Sequence, residues 1–219
     1  MHVLLSEWRS NFGHFLSGLG VTLELTGVSL AIALLLGFIM ALARLSGVRP
    51  LELVTTWVVE IIRAIPVLIL LFIAYFSLGS VGIKMSSFVS AVVALGVFYA
   101  TLYAEIFRGG ILAVDRGQRE AAQALGLPSG IIMQKIILPQ AFFNILPPAT
   151  NQLSNLIKDT SLAFTIGVAE LMFQANNAGA TDFRFFDDFL LAALMYFVFY
   201  LILSKLLARW ELNVQQHRS

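Results

Sequence analysis

The chain has 219 residues, 58% of them hydrophobic and 12% charged, with a mean hydropathy of +0.85. An ordinary soluble domain is about 25% charged; a water-exposed fold this apolar would leave large hydrophobic patches uncovered, so the composition places the chain in a bilayer. A net charge of +1 argues against a nucleic-acid binder, and the absence of cysteine excludes disulfides, thiol catalysis and cysteine metal sites.

Residues 1–10 are mixed in polarity and interrupted by Glu7 and Arg9, so they do not read as a cleavable signal, and insertion would rely on the first span. Stretches 25–43, 64–83, 85–104, 136–157 and 189–204 carry no formal charge. A membrane helix needs about 20 mainly apolar residues. The last stretch reaches that length if Lys205 snorkels. The pattern predicts an all-α membrane protein with five transmembrane helices, near 20–43, 54–77, 87–108, 142–166 and 188–208, forming a single domain over 1–219. Gly37 and Ala41, four apart on the first span, suit close helix packing.

Charges inside spans need a reason, because each costs about 2.5–3.5 kcal/mol at the bilayer centre. On the second span Glu60 and Arg63 are three apart and share a helix face. Glu105 and Arg108 lie near the inner end of the third. On the fourth, Gln152, Asn155 and Asp159 form a polar stripe, flanked by Ser154, Lys158, Thr160 and Ser161. Counted along the helices at about 1.5 Å per residue, Glu60 and Arg63 fall at the same depth as Lys158 and Asp159. Two acids and two bases at one level suit a zwitterion. The competing expectation is that Glu60 with Arg63, and Lys158 with Asp159, neutralise one another.

With the N-terminus outside, the inside segments hold Arg44, Arg49, Arg108, Arg116, Arg119, Lys135, Lys205, Arg209 and Arg218, and the outside segments only Arg9, Lys84 and Arg184. The positive-inside rule therefore predicts a cytoplasmic C-terminus. The longest inside connection, about 109–140, reads as a helix–turn–helix. Residues 119–125 are helix formers with Ala121, Ala122 and Leu125 on one side, Gly126 sits at the C′ position, and Ser129 is placed to cap a second helix. Without further information this is either a docking surface or an amphipathic connector on the headgroups. The outside connection 167–187, with Glu170, Asp182, Asp187 and Arg184, reads as a long acidic loop, and Phe183, Phe185, Phe186 and Phe189 as an interfacial aromatic cluster. His2, His14 and His217 have no ligand spacing, so no metal site is expected.

Glu120-Ala121-Ala122, then Gly126, then Ile136-x-Leu138-Pro139 resembles the EAA motif of ABC-importer permeases, without a gap. The polar amino-acid branch is matched by Ile62-Arg63-x-x-Pro66, Ala104-Glu105-x-x-Arg108-Gly109-Gly110-Ile111, Leu138-Pro139-Gln140-Ala141 and Lys158-Asp159-Thr160-Ser161-Leu162. The chain departs from that branch at Ala64-Ile65, where Gly-Thr is usual, at Leu70 for a common glutamine, and at Leu102, with a tyrosine one place later at Tyr103. These changes make the upper cavity less polar. The resemblance implies a type I ABC-importer permease fold in a bacterial plasma (inner) membrane. It implies a cytoplasmic coupling helix (Glu120, Ala121, Ala122, Leu125, Gly126, with Pro139 beyond it) seated on an ATPase dimer that binds ATP and Mg, since this chain has no phosphate-binding loop. It also implies a second permease copy or paralogue, an extracytoplasmic substrate-binding protein, and an amino-acid cargo held by residues among Glu60, Arg63, Gln152, Asn155, Lys158, Asp159, Thr160 and Ser161. The chain itself would need no cofactor and would not be an enzyme. Two rivals remain at this point: an ion-coupled carrier using Glu60, Glu105 and Asp159 as relay carboxylates, and, more weakly, a membrane-embedded enzyme.

Overall fold

The computed structural model describes residues 2–216, with side chains described for 12–181 and 183–210. The readings that rest on Glu7, Arg9, His2 and His217 therefore concern side chains outside the described residues. The described chain is helical: α1 (His2–Arg44), α2 (Arg49–Ala64), α3 (Val67–Ser80), α4 (Ser87–Leu112), α5 (Arg116–Ala124), α6 (Ser129–Ile166), α7 (Leu171–Asp182) and α8 (Phe185–Gln216). Four of these are long and apolar enough to cross a membrane, and α2 with α3 makes a fifth if the bent pair counts as one span.

Helices α1 and α4 form the centre, running parallel and touching almost backbone to backbone. A Cβ added at Gly37 would lie 2.8 Å from the Ala100 carbonyl oxygen and 2.9 Å from Tyr103 Cβ, and one at Gly96 would lie 2.9 Å from Ile32 Cγ2. Ala33, Ala41, Ala100 and Ala104 are fully buried. In a bilayer the lipid tails are as apolar as leucine, so helix association rests on close van der Waals contact, and small residues provide it. The expectation for Gly37 and Ala41 holds.

The second span is not the single rod over 54–77 that the sequence predicts. It breaks by 99° between α2 and α3. Pro66 has no N–H to continue the ladder and crowds the residue before it, so Ile65 is extended at φ −92 and ψ 127. Helix α2 buries only Thr55 and Val59, while Leu53, Val54, Trp57 and Ile61 stay exposed.

Helix α6 runs without a stop from the second half of the inside connection into the fourth span, so that connection is shorter than 109–140. A π-helical turn at Met133–Ile137 precedes Pro139. Pro147 and Pro148 lie inside the following α-helical stretch, Leu138–Asp159. Tyr103 donates to the Ala149 carbonyl oxygen at 3.0 Å, which fixes this proline-rich stretch against α4. Beyond Asp159 the helix tightens to 3-10 geometry over Thr160–Ile166 and ends at Gly167, whose φ of 82 suits glycine. The outside connection is not a loop, because α7 fills most of it and packs on α1 and α8.

Replacing Gly37 with Leu is expected to force α1 off α4 and to destabilise the chain by about 2 kcal/mol or more. Gly27, which has nothing within 4 Å of an added Cβ, is the control as Gly27→Ala. Thermal unfolding of the detergent-purified variants measures this, and equal melting temperatures for Gly37→Leu and wild type would contradict the packing account.

Candidate functional site

Helix α5 is built as a separate, outward-facing element. Asp115 caps its start, accepting the Gly117 N–H at 2.6 Å. At its end Gly126 takes φ 73, with its N–H donated to Gln123 O at 2.9 Å and that of Leu127 to Ala122 O at 3.2 Å. The two alanines do not share a face. Ala122 is buried in a cluster with Ile111, Ile132, Ile137 and Ala141, whereas Glu120 and Ala121 are exposed and Leu125 is 80% exposed. Ala122 thus clamps α5 to α4 and α6, and the free face carries Glu120, Ala121 and Leu125. Ser129 does not cap α6. Pro128 holds the capping position without a side-chain hydrogen bond, and Ser129 is the first helical residue. Pro139 is exposed near the start of the Leu138–Asp159 stretch.

The intramembrane charges do not form one cluster. Arg63 does not pair with Glu60, which is exposed and makes no ion pair among the described residues. The Arg63 guanidinium lies 3.9 Å from Glu105 instead. Glu105 also bonds Arg44 of α1 through Oε1, and accepts Arg108 Nε and Nη2 on Oε2 at 3.2 and 3.0 Å. One carboxylate thereby ties α1, α2 and α4 together, and no spacing rule in the sequence links those three helices.

Lys158 and Asp159 also part company. Lys158 Nζ lies over the Tyr200 ring of α8, 5.2 Å from its centroid. Asp159 Oδ2 accepts the Tyr99 hydroxyl at 2.8 Å. Tyr99 is 1% exposed and escaped the sequence reading, although a tyrosine deep in an apolar span signals a waiting acceptor. Tyr99 and Glu105 are six residues apart on α4, so Arg63 sits about 9 Å further along the span than Asp159. The equal-depth arrangement is corrected, because Arg63 is tied to Glu105 and Asp159 to Tyr99. Of the remaining stripe, Asn155 Nδ2 donates to Gln152 Oε1 at 3.4 Å, while the hydroxyls of Thr160 and Ser161 donate to the Ile157 and Lys158 carbonyl oxygens at 2.7 Å each. Thr160 is fully buried.

At the α7 end, Glu170 is fully buried, unlike a residue of an acidic loop. Its carboxyl caps α7, accepting the N–H groups of Met172 and Phe173 at 2.9 and 2.7 Å and the Tyr196 hydroxyl at 2.9 Å. The Leu171 N–H donates to Thr22 of α1 at 3.3 Å. Phe183 and Phe186 are strongly exposed at the turn between α7 and α8, and Phe185 packs on Phe189 at 5.8 Å between centroids. A cleft of about 500 Å³ between α1, α4, α6 and α8, bounded by Phe38, Phe107, Phe142 and Trp210, is lined almost wholly by apolar side chains and does not suit a polar cargo.

Over residues 33–217 the chain matches the family model described as binding-protein-dependent transport system inner membrane component. The chain belongs to that family. It is 39% identical over 190 residues to the arginine transport system permease protein ArtQ of Bacillus subtilis (strain 168), covering 86% of this chain and 87% of the relative. It is 38% identical over 202 residues to the probable glutamine ABC transporter permease protein GlnP of the same organism, covering 91% and 92%. A solved amino acid ABC transporter with histidines superposes with a TM-score of 0.91 at 37% identity, over 96% of this chain and 98% of that one. The chain is thus a multi-pass inner-membrane permease subunit of an ABC importer with the type I permease fold. The family match displaces the ion-coupled carrier and enzyme readings.

Burial of the Glu170 carboxyl outweighs its donors and pushes it up to about 7, from an ordinary value of 4.5. The folded chain then holds a proton that the unfolded chain has already released, so stability is lost as pH rises through about 7. The melting temperature of the purified chain is expected to fall between pH of about 5.5 and about 8, with a flatter slope in Glu170→Gln. Equal slopes in the two proteins would contradict the assignment.

Proposed function

We propose that this chain forms one half of the membrane path of a polar amino-acid importer, with its N-terminus outside and α5 in the cytoplasm, seated on a partner ATPase dimer that binds ATP and Mg. The observation that carries the reading is α5 itself. It is a polar helix clamped from behind by Ala122, stopped by a left-handed Gly126, and tipped by Leu125 at 80% exposure. An exposed leucine at the end of this helix is an apolar contact that a groove in a partner can take up. Glu120 and Ala121 flank it, and Pro139 lies in the first turn of the stretch that carries the thrust into α6.

Cargo recognition centres on Asp159. Its carboxylate lies in the last turn of the α-helical stretch, where the helix dipole disfavours a negative charge. Lys158 is turned toward Tyr200, and Tyr99 supplies a neutral hydrogen bond only. The acid therefore needs a cation, and the ammonium of an amino acid meets that need. Lys158 is held by a cation–π contact worth about 1 kcal/mol, so it is easily released to the cargo carboxylate. Gln152, Asn155 and Ser161 line the same helix, with Thr160 shaping the turn behind them. Arg63, paired with Glu105, and the exposed Glu60 lie outside this station. A second permease copy or paralogue completes the path, and an extracytoplasmic binding protein delivers cargo at the α7 side. The relatives named for arginine and glutamine transport and the neighbour solved with histidines support an amino-acid cargo.

Purification of the tagged chain from its native membrane should bring a Walker-motif ATPase with it, and Gly126→Trp should lose that ATPase, because a bulky side chain there meets both a strained φ and the docking face. A wild-type chain that captures no ATPase in several mild detergents would sink the coupling reading. In reconstituted transporter, Asp159→Ala and Lys158→Ala are each expected to abolish uptake while basal ATP hydrolysis survives. Undiminished uptake in both variants would remove them from the cargo site.

A further inference from the structure

We infer that Glu105 is the positioning residue that transmits movement of the coupling helix to the cargo station, acting through Arg63. The inference rests on the docking role proposed for α5 and goes beyond it by naming how the thrust crosses the membrane.

The connection is continuous in named contacts. Three residues separate the end of α4 at Leu112 from the start of α5 at Arg116, and Ala122 shares a buried cluster with Ile111 in the last turn of α4. A displacement of α5 is therefore delivered to α4 as a rigid body. Two turns up α4 stands Glu105, whose two carboxylate oxygens are taken by Arg44 of α1 and Arg108 of its own helix. Arg63 is the third guanidinium, at 3.9 Å, with its side chain 39% exposed against 11% for Arg44. It is the longest and least enclosed of the three ion pairs. Among the described residues it is also the single charged tie from this centre to α2, which buries only Thr55 and Val59 and has little apolar packing to hold it.

Arg63 stands three residues before Pro66, at the 99° break. Beyond the break, Val67, Leu68 and Leu71 pack in the same apolar cluster as Leu156, Leu162 and Ala163, which bracket Asp159. The ion pair thus fixes the height of the elbow, and the elbow braces the turn that presents Asp159. Inside a span, a guanidinium that loses its only carboxylate is strongly disfavoured, so α2 must follow α4 unless another anion takes over. An extended apolar contact would slide, whereas this ion pair keeps α2 in register with α4.

The test is a double-mutant cycle on the reconstituted transporter with its copurified ATPase, using Glu105→Gln, Arg63→Gln and the pair together. Uptake of tritiated arginine, glutamine and histidine into proteoliposomes is divided by ATP hydrolysed in the same preparation. Each single variant is expected to keep hydrolysis near the wild-type rate and to lower uptake per ATP about tenfold, with the double variant no worse than the worse single. Glu105→Asp, which keeps the charge, is expected to recover most of the ratio. An unchanged ratio in both singles overturns the relay, as do uptake and hydrolysis falling in proportion, or losses that simply multiply in the double variant. Should Glu105→Gln fail to assemble, Arg63→Gln decides alone, since its half-exposed side chain is not needed for packing. A complex that retains its ATPase but shows an unchanged ratio counts against the relay only, whereas a wild type without ATPase counts against the docking role beneath it.

Discussion

The structure hangs on the contact between α1 and α4 at Gly37, where a helix backbone meets another with no side chain between them. A bilayer supplies almost no hydrophobic drive for helices to associate, so shape has to do it. The small residues along this seam bring the two helices close enough for Arg44 to reach Glu105 and leave Tyr99 and Tyr103 free to hold α6. Moving α1 outward by the width of one side chain would disturb both.

Around that pair the helices differ in how firmly they are held, and the difference has functional meaning. Helix α6 is bonded to α4 by two tyrosine hydroxyls. Helix α7 is locked by the buried Glu170 to α8 and, through Thr22, to α1. By contrast α2 has two buried side chains and one long ion pair, and α5 is clamped on one side only. Weakly held elements are where a transport cycle can move without unfolding the rest. The firmly held ones keep the rest of the fold in shape while that happens.

Among the described residues, three charges within the spans are unevenly paired. Glu105 has three arginines, Asp159 has only a phenol, and Lys158 has only an aromatic face. A purely structural span would neutralise such groups completely or omit them.

Much of this was determined locally and is legible in the residues. The spans follow from charge-free stretches, because lipid tolerates no unpaired backbone over that length. The stop at Gly126 and the capping role of Asp115 follow from short-range geometry, and the motif from Glu120 to Pro139 carries the family. Tertiary structure alone decided that Ala122 faces inward while Ala121 faces out, since a short helix does not reveal which neighbour it packs on. It decided that Glu170 is buried, because the shielding residues, Thr22 and Tyr196, come from distant helices. Above all it decided the ionic partners. Counting residues along straight rods put Arg63 level with Asp159, but in the fold Arg63 meets Glu105 and Asp159 meets Tyr99, six residues apart on α4. Composition and spacing act along the chain, whereas a charge in a membrane chooses its partner by distance through space.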